Sequence, residues 1–175
     1  MINYQVMTEA QVDKLKEIDR SEHIELIYEM TDGKMTEIHA NHECPNWDIE
    51  QLQEMEERYV YELQNGGMAV GAFDGDTLVG FGVLAHQWRG EQHDQLQVDL
   101  MYVSRTHRRQ GIGSRIMNEL AEEARRRGAK HLYVSSTETR SAVSFYKSNG
   151  SQLTDEVDPE LFQKEPKDIH MLITL

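Results

Sequence analysis

Residues 96–103 alternate like a strand and residues 112–127 repeat like a helix. A basic turn with two glycines, Arg108-Arg109-Gln110-Gly111-Ile112-Gly113, joins them. No other feature restricts the fold of this chain as tightly. Two glycines let a backbone turn sharply and approach a ligand closely. The free N–H groups that open the helix point into the turn, and the helix dipole favours an anion there. Strand, basic glycine turn and helix therefore read as a cradle for phosphate; the plain alternative is a strand-to-helix turn whose arginines face solvent. Two nucleotide motifs are excluded by residue type. A P-loop needs Lys-Ser/Thr after its last glycine, and Gly113 is followed by Ser114-Arg115. A dinucleotide fingerprint needs a third glycine where this chain has Ile116, and it opens the first βα unit of a domain.

Around that unit the apolar spacing predicts short elements. Residues 2–6 read as a strand. Residues 8–18 read as a helix capped by Thr8, with Val12, Leu15 and Ile18 on one face. Ile24, Leu26, Ile27 and Met30 suggest a short helix, and 39–47 a loop broken by Pro45. Residues 49–63 form a helix that Asn65-Gly66-Gly67 stops. Strands at 68–73 and 77–86 are joined by the hairpin signal Asp74-Gly75-Asp76. In 96–103, alternation assigns Leu96, Val98, Leu100 and Tyr102 to one face and Gln97, Asp99, Met101 and Val103 to the other. After the 112–127 helix come a strand at 131–137, a helix at 141–148, a short strand at 152–153, a loop around Pro159 and a last strand at 168–175. The order β-α-α-β-β-β-α-β-α-β-β describes a mixed α/β sandwich in one domain over residues 1–175.

The net charge of −13 is uneven. Residues 1–67 carry 16 acids and 5 bases; residues 101–130 carry 3 acids and 8 bases. An acidic body with one basic segment argues against nucleic acid, which needs a broad basic face. It suits an anionic cofactor at the basic turn and a cationic second ligand near the acidic half, although charge runs also serve solubility. The apolar run 78–85 is too short to span a bilayer, and the first residues lack the regions of a signal peptide. One cysteine, Cys44, leaves no internal disulfide. These features predict a cytoplasmic protein without a membrane partner. His39-x-x-His42-x-Cys44 lacks the second ligand pair of a zinc site and reads as polar loop, so no metal is expected.

Two stretches carry a family resemblance. Arg108-x-x-Gly111-x-Gly113 after a strand resembles the acyl-CoA pyrophosphate loop of GNAT-type N-acetyltransferases, Gln/Arg-x-x-Gly-x-Gly/Ala. Thr139-Arg140-Ser141-Ala142-Val143-Ser144-Phe145-Tyr146-Lys147-Ser148-Asn149-Gly150 resembles that family's Asn-x-x-Ala-x-x-Phe-Tyr-x-x-x-Gly-Phe, with Thr139 for Asn and Ser151 for Phe. The resemblance implies a mostly antiparallel sheet flanked by helices, with central strands splayed to admit acetyl-CoA. It implies that Arg108, Arg109, Gln110, Gly111, Ile112, Gly113 and Ser114 hold the pyrophosphate, mainly by backbone N–H. It further implies that the backbone of Met101, Tyr102 and Val103 pairs with the pantetheine arm, and that Thr139 stands beside the cofactor. Dimers are common among the proteins it resembles, so a homodimer is possible.

Acetyl transfer to an amine needs a polarised thioester carbonyl, a deprotonated amine and a protonated leaving thiolate. Tyr146 matches the tyrosine that such enzymes place near the sulfur as general acid; it also fits a packing role beside Phe145. Asp99, acidic in a strand that otherwise favours apolar residues, is the candidate base, or else the partner of an arginine. His86 is the second candidate. Trp47 and Trp88 are candidates for the acceptor pocket. The expected activity is transfer from acetyl-CoA to a cationic small molecule of antibiotic, polyamine or amino-acid type. The alternatives are acetylation of a protein N-terminus or lysine, and a non-catalytic acyl-CoA-binding regulator.

Overall fold

A computed structural model describes residues 1–175. The chain runs β1 (Ile2–Met7), a 3-10 helix (Glu9–Glu17), β2 (Glu22–Thr31), β3 (Lys34–Cys44), α1 (Ile49–Gln64), β4 (Met68–Asp74), β5 (Thr77–Arg89) and β6 (Gln95–Val103). It continues with α2 (Ile112–Arg126), β7 (His131–Ser136), α3 (Arg140–Ser148), β8 (Ser151–Leu153), α4 (Pro159–Lys164) and β9 (Ile169–Thr174). Seven strands form one sheet in the order β1-β4-β5-β6-β7-β9-β8, and β2 with β3 forms a separate hairpin. Every neighbouring pair in the large sheet is antiparallel except β6 and β7. The expected mixed α/β class and mostly antiparallel sheet are what the chain forms.

Each face of the sheet carries an apolar layer. On one, Ile112, Ile116 and Leu120 of α2 and Val143 of α3 pack on Val70, Val79, Leu132 and Val134. On the other, Leu15, Ile18, Met55 and Tyr59 pack on Phe73, Phe81 and Val83. The parallel pair β6 and β7 is joined only at Gln95↔His131, Leu96↔Leu132 and Gln97↔Tyr133. Beyond these residues the strands diverge, so the sheet is split in its middle as expected.

Four local expectations need correction. Residues 9–17 form a 3-10 helix rather than an α-helix. Val12, Leu15 and Ile18 recur at a strict interval of three, the 3-10 period, with no residue four away to widen the stripe. Residues 22–44 are a hairpin, not a helix followed by a loop. Its turn is Asp32-Gly33, both left-handed (φ 51 and 77), whereas the 68–89 hairpin turns through Gly75-Asp76 with only Gly75 left-handed (φ 63). Ile24 and Leu26 alternate like a strand, and Ile27 and Met30 disguised that period. The loop around Pro159 contains the short helix α4, with Pro159 in its first turn and Asp158 as its cap.

The fourth correction matters for the site. The register between β5 and β6 shifts between Leu84↔Val98 and Val83↔Leu100, so Asp99 is the extra residue of a β-bulge. Alternation reverses there. Leu96 and Val98 face the α2 side with Met101 and Val103, whereas Leu100 and Tyr102 face the α1 side. The single face predicted for Leu96, Val98, Leu100 and Tyr102 is therefore broken by one inserted residue.

Candidate active site

The turn that opens α2 has the form of an anion cradle. Arg109 and Gly111 are both left-handed, at φ 63 and 81, which folds successive N–H groups toward one side. Asp48, Thr139 and Asp158 cap α1, α3 and α4 with their side chains, but no side chain caps α2. The N–H groups of Ile112, Gly113 and Ser114 are thus left for a ligand. Ile112 is buried and fixes the turn to the core. A Cβ on Gly113 would lie 2.7 Å from Cε1 of Phe145, so the absence of a side chain lets α2 meet α3. Arg109 and Gln110 are exposed. Arg108 differs: its guanidinium turns inward and donates to the carbonyls of Val103 (2.9 Å), Ser21 (2.8 Å) and Asp19 (3.3 Å). Only its backbone remains for the cradle.

The split runs from that turn into the sheet. On its β5 side, β6 pairs Gly82↔Met101, Phe81↔Tyr102 and Gly80↔Val103; on its β7 side the same residues have no strand partner. This open edge is where an extended arm could add main-chain hydrogen bonds. Tyr146 of α3 lies near enough to Tyr102 and Asp168 for their charges to act on its phenol, which burial pushes well above its ordinary pKa. Tyr102 packs with the α1 layer and Tyr146 with the α2 layer, so the two side chains flank the split from opposite faces. Phe145 packs edge-on to Tyr146 with ring centroids 5.1 Å apart. Thr139 caps α3, its hydroxyl accepting from Ala142 N–H at 3.3 Å, and it stands at the β7 arm of the split.

The α1 side of the split is lined by charge. Asp99, with a side chain only 6% exposed, accepts a two-pronged contact from Arg58 of α1. Burial works against the Arg58 charge, but the Asp99 contact outweighs it and holds the guanidinium above its ordinary pKa. Asp99 is therefore the partner of an arginine here, one of the two roles its sequence position allowed. Across the gap, Oδ2 of Asp168 accepts from the Ser135 hydroxyl of β7 at 2.8 Å. Burial pushes the Asp168 carboxyl up to about 7; the Ser135 hydrogen bond opposes this, and Glu165 and Glu138 add to it. Trp47 packs edge-on to Tyr102 at 4.9 Å with the Arg20 guanidinium over its ring, which places it on this side. Trp88 packs in the α2 layer instead. His86 is also elsewhere: its Nδ1 contacts Glu62 of α1 at 2.6 Å. His39, His42 and Cys44 lie along β3.

The β2–β3 hairpin arches over the wide end of the split. Glu43 binds Arg105 just past β6, and the main chain of Tyr28 donates to Glu138 at 2.7 Å just past β7. Ile27 bridges Thr139, and Glu25 binds Arg140 at 2.9 Å. Arg58, Ser135, Asp168 and the hairpin are the parts that the sequence reading missed. Only the Asp32-Gly33 turn carried a local signal; the others are brought together by sheet order alone.

The Arg58 contact yields a stability prediction. Arg58→Ala leaves the Asp99 carboxylate buried without its partner and costs about 2 kcal/mol, a figure reduced because Arg58 is half exposed. Adding Asp99→Asn recovers roughly half of it. Urea unfolding of the single and double variants checks both numbers.

The sequence profile described as the Acetyltransferase (GNAT) family matches residues 27–150. No curated protein matches the sequence. Among solved structures, a nourseothricin acetyltransferase superposes with a TM-score of 0.74 at 19% identity, covering 99% of this chain and 98% of that one. A protein designated a streptothricin acetyltransferase of Bacillus anthracis str. Ames, in complex with acetyl coenzyme A, gives 0.75 at 14% identity over 100% and 99%. The PaiA N-acetyltransferase of Thermoplasma acidophilum, in complex with coenzyme A, gives 0.66 at 16% over 100% and 99%. At such identities these likenesses establish the shared fold alone.

Proposed function

The chain belongs to the Acetyltransferase (GNAT) family, and we propose that it transfers the acetyl group of acetyl-CoA directly to a primary amine of a small cationic molecule. One observation carries the choice of acceptor. Beside the split the charges of Glu138 and Glu165 act on the Asp168 carboxyl, and none of the three forms an ion pair. Arg58, the cation whose charge acts on Asp168, is already matched by Asp99. A small cation restores the balance. The hairpin over the wide end of the split supports a compact acceptor, because it crosses the path an extended peptide would take.

In this reading the pyrophosphate lies on the N–H groups of residues 109–114, with Arg109 beside it. The pantetheine arm pairs with the open edge at Met101, Tyr102 and Val103, and a main-chain N–H there polarises the thioester carbonyl. The amine nitrogen attacks from the α1 side, forming the C–N bond, and the C–S bond then breaks. Tyr146 donates to the sulfur as it departs. Burial keeps the phenol protonated throughout the neutral range, the form a donor needs.

Thiol release from acetyl-CoA, measured against polyamines, streptothricin-type and aminoglycoside-type antibiotics, basic amino acids and basic peptides, tests the proposal. The expected result is saturable turnover of one small cationic amine, with a KM that rises as salt screens the acidic side. Turnover of peptides alone would transfer the reading to a protein substrate. Silence across the panel with intact acetyl-CoA binding would favour a regulator.

A further inference from the structure

The candidate base on β6, Asp99, has both oxygens held by Arg58. The arm opposite offers another carboxyl. Ser136↔Ile169 is the last pair of the β7–β9 ladder, and Asp168 comes immediately before it, beside the mouth of the split. Its side chain shares the α1-side face with Ser135, to which it is tied at 2.8 Å. Ser135 supplies one donor to Oδ2, and no ion pair engages the carboxyl. The end of the β7–β9 ladder and the Ser135 contact place it at the open end of the gap, where its charge also acts on the phenols of Tyr102 and Tyr146.

Resting on the reading above, we propose that Asp168 is the catalytic base: its free carboxylate oxygen receives the acceptor's ammonium group and takes its proton before attack, while Ser135 positions it. The protons balance. The ammonium gives one proton to Asp168, which passes it to solvent. The nitrogen sheds its second as the adduct collapses, and this replaces the one that Tyr146 gives to the thiolate. A base is matched to its task when its pKa lies near the working pH, and burial holds Asp168 close to that value. The groups facing it are Ser135 of β7, Glu138 and Glu165 at the rim, Arg58 of α1, Tyr102 of β6 and Tyr146 of α3. Both phenols stay protonated below pH 9 and Arg58 stays charged, so Asp168 is the group whose titration shapes the rate near neutrality.

The test is the pH profile of kcat/KM for whichever cationic amine the wild type turns over, between pH 5.5 and 9. With Asp168 as base, the rate rises through pH about 7 and then levels, because the cationic amine can be bound and deprotonated in place. In Asp168→Asn only the rare neutral amine reacts. The rate at pH 7.5 falls about 100-fold, and the levelling gives way to a steady tenfold rise per pH unit. Acetyl-CoA affinity by calorimetry stays within twofold, which shows that the variant is folded. Ser135→Ala removes the hydrogen bond that both positions the carboxyl and lowers the Asp168 pKa, so its break moves to higher pH and the plateau rate falls several-fold. Asp168 also makes folding sensitive to pH. The proton is bound more tightly in the folded state, so wild-type stability falls as pH rises from about 4 through 7; Asp168→Asn lacks this loss and melts higher than wild type at pH 8. Wild-type turnover with an unchanged plateau in Asp168→Asn, or an unmoved break in Ser135→Ala, overturns the assignment and leaves the proposed function standing. A wild type that acetylates no cationic amine overturns both.

Discussion

Replacing Gly111 and Gly113 together by aspartate abolishes useful acetyl-CoA binding, with affinity by calorimetry falling at least about 100-fold, equivalent to about 2.7 kcal/mol. Three effects act together. Position 111 has φ 81, where an L-residue costs roughly 1–2 kcal/mol. Position 113 has no room for a Cβ beside Phe145, so α2 and α3 must separate or the ring must turn against Tyr146. Two carboxylates at the start of α2 would also occupy the N–H groups proposed to receive the pyrophosphate, and would repel it. Because Gly111 has open space around it, Gly111→Ala alone disturbs the turn only through its dihedral and should weaken binding several-fold. An affinity unchanged in the double variant would remove the cradle from the account.

Tyr146→Phe produces the second large effect: kcat falls about 50-fold while KM for acetyl-CoA stays within twofold. The phenylalanine keeps the ring packed on Phe145, so the fold and the split are preserved. In the proposed reaction, what is lost is one donor to the departing sulfur. A thiol has a pKa of about 8.5, so its anion leaves passably without help, which keeps the effect well below the largest known for general acids. The loss should be the same from pH 6 to 9, because burial holds the tyrosine protonated across that range. Steady-state kinetics at several pH values measures this. A decrease in kcat/KM through KM alone would make Tyr146 a binding residue.

What the sequence disclosed followed from how local its cause is. The turn 108–113 was legible because left-handed backbone and an uncapped helix are written in adjacent residues. The hairpin 68–89 was legible for the same reason at Asp74-Gly75. The hairpin at 22–44 turns at Asp32-Gly33, also a local signal, but the apolar residues Ile27 and Met30 imitated a helical period and masked it. The bulge at Asp99 left no trace, since one inserted residue changes the partners of a strand and not its composition. It reversed the faces assigned to Leu100 and Tyr102 and set Asp99 against Arg58, a residue 41 positions earlier. Asp168 was hidden for a related reason. Nothing near it in the chain marks it; it reaches the gap because β9 is inserted between β7 and β8. Geometry set by neighbours in sequence was readable, and contacts assembled by strand order were not.

The central claim is that the split between β6 and β7 holds acetyl-CoA with its reacting end between the two faces of the sheet. A crystal structure of the complex with coenzyme A tests it most directly. The account predicts pyrophosphate oxygens on the N–H groups of residues 109–114, the pantetheine arm along the unpaired edge of Met101–Val103, and the sulfur within hydrogen-bond reach of Tyr146 Oη with Asp168 opposite. Coenzyme A seated outside the split, or a sulfur remote from both Tyr146 and Asp168, would contradict it.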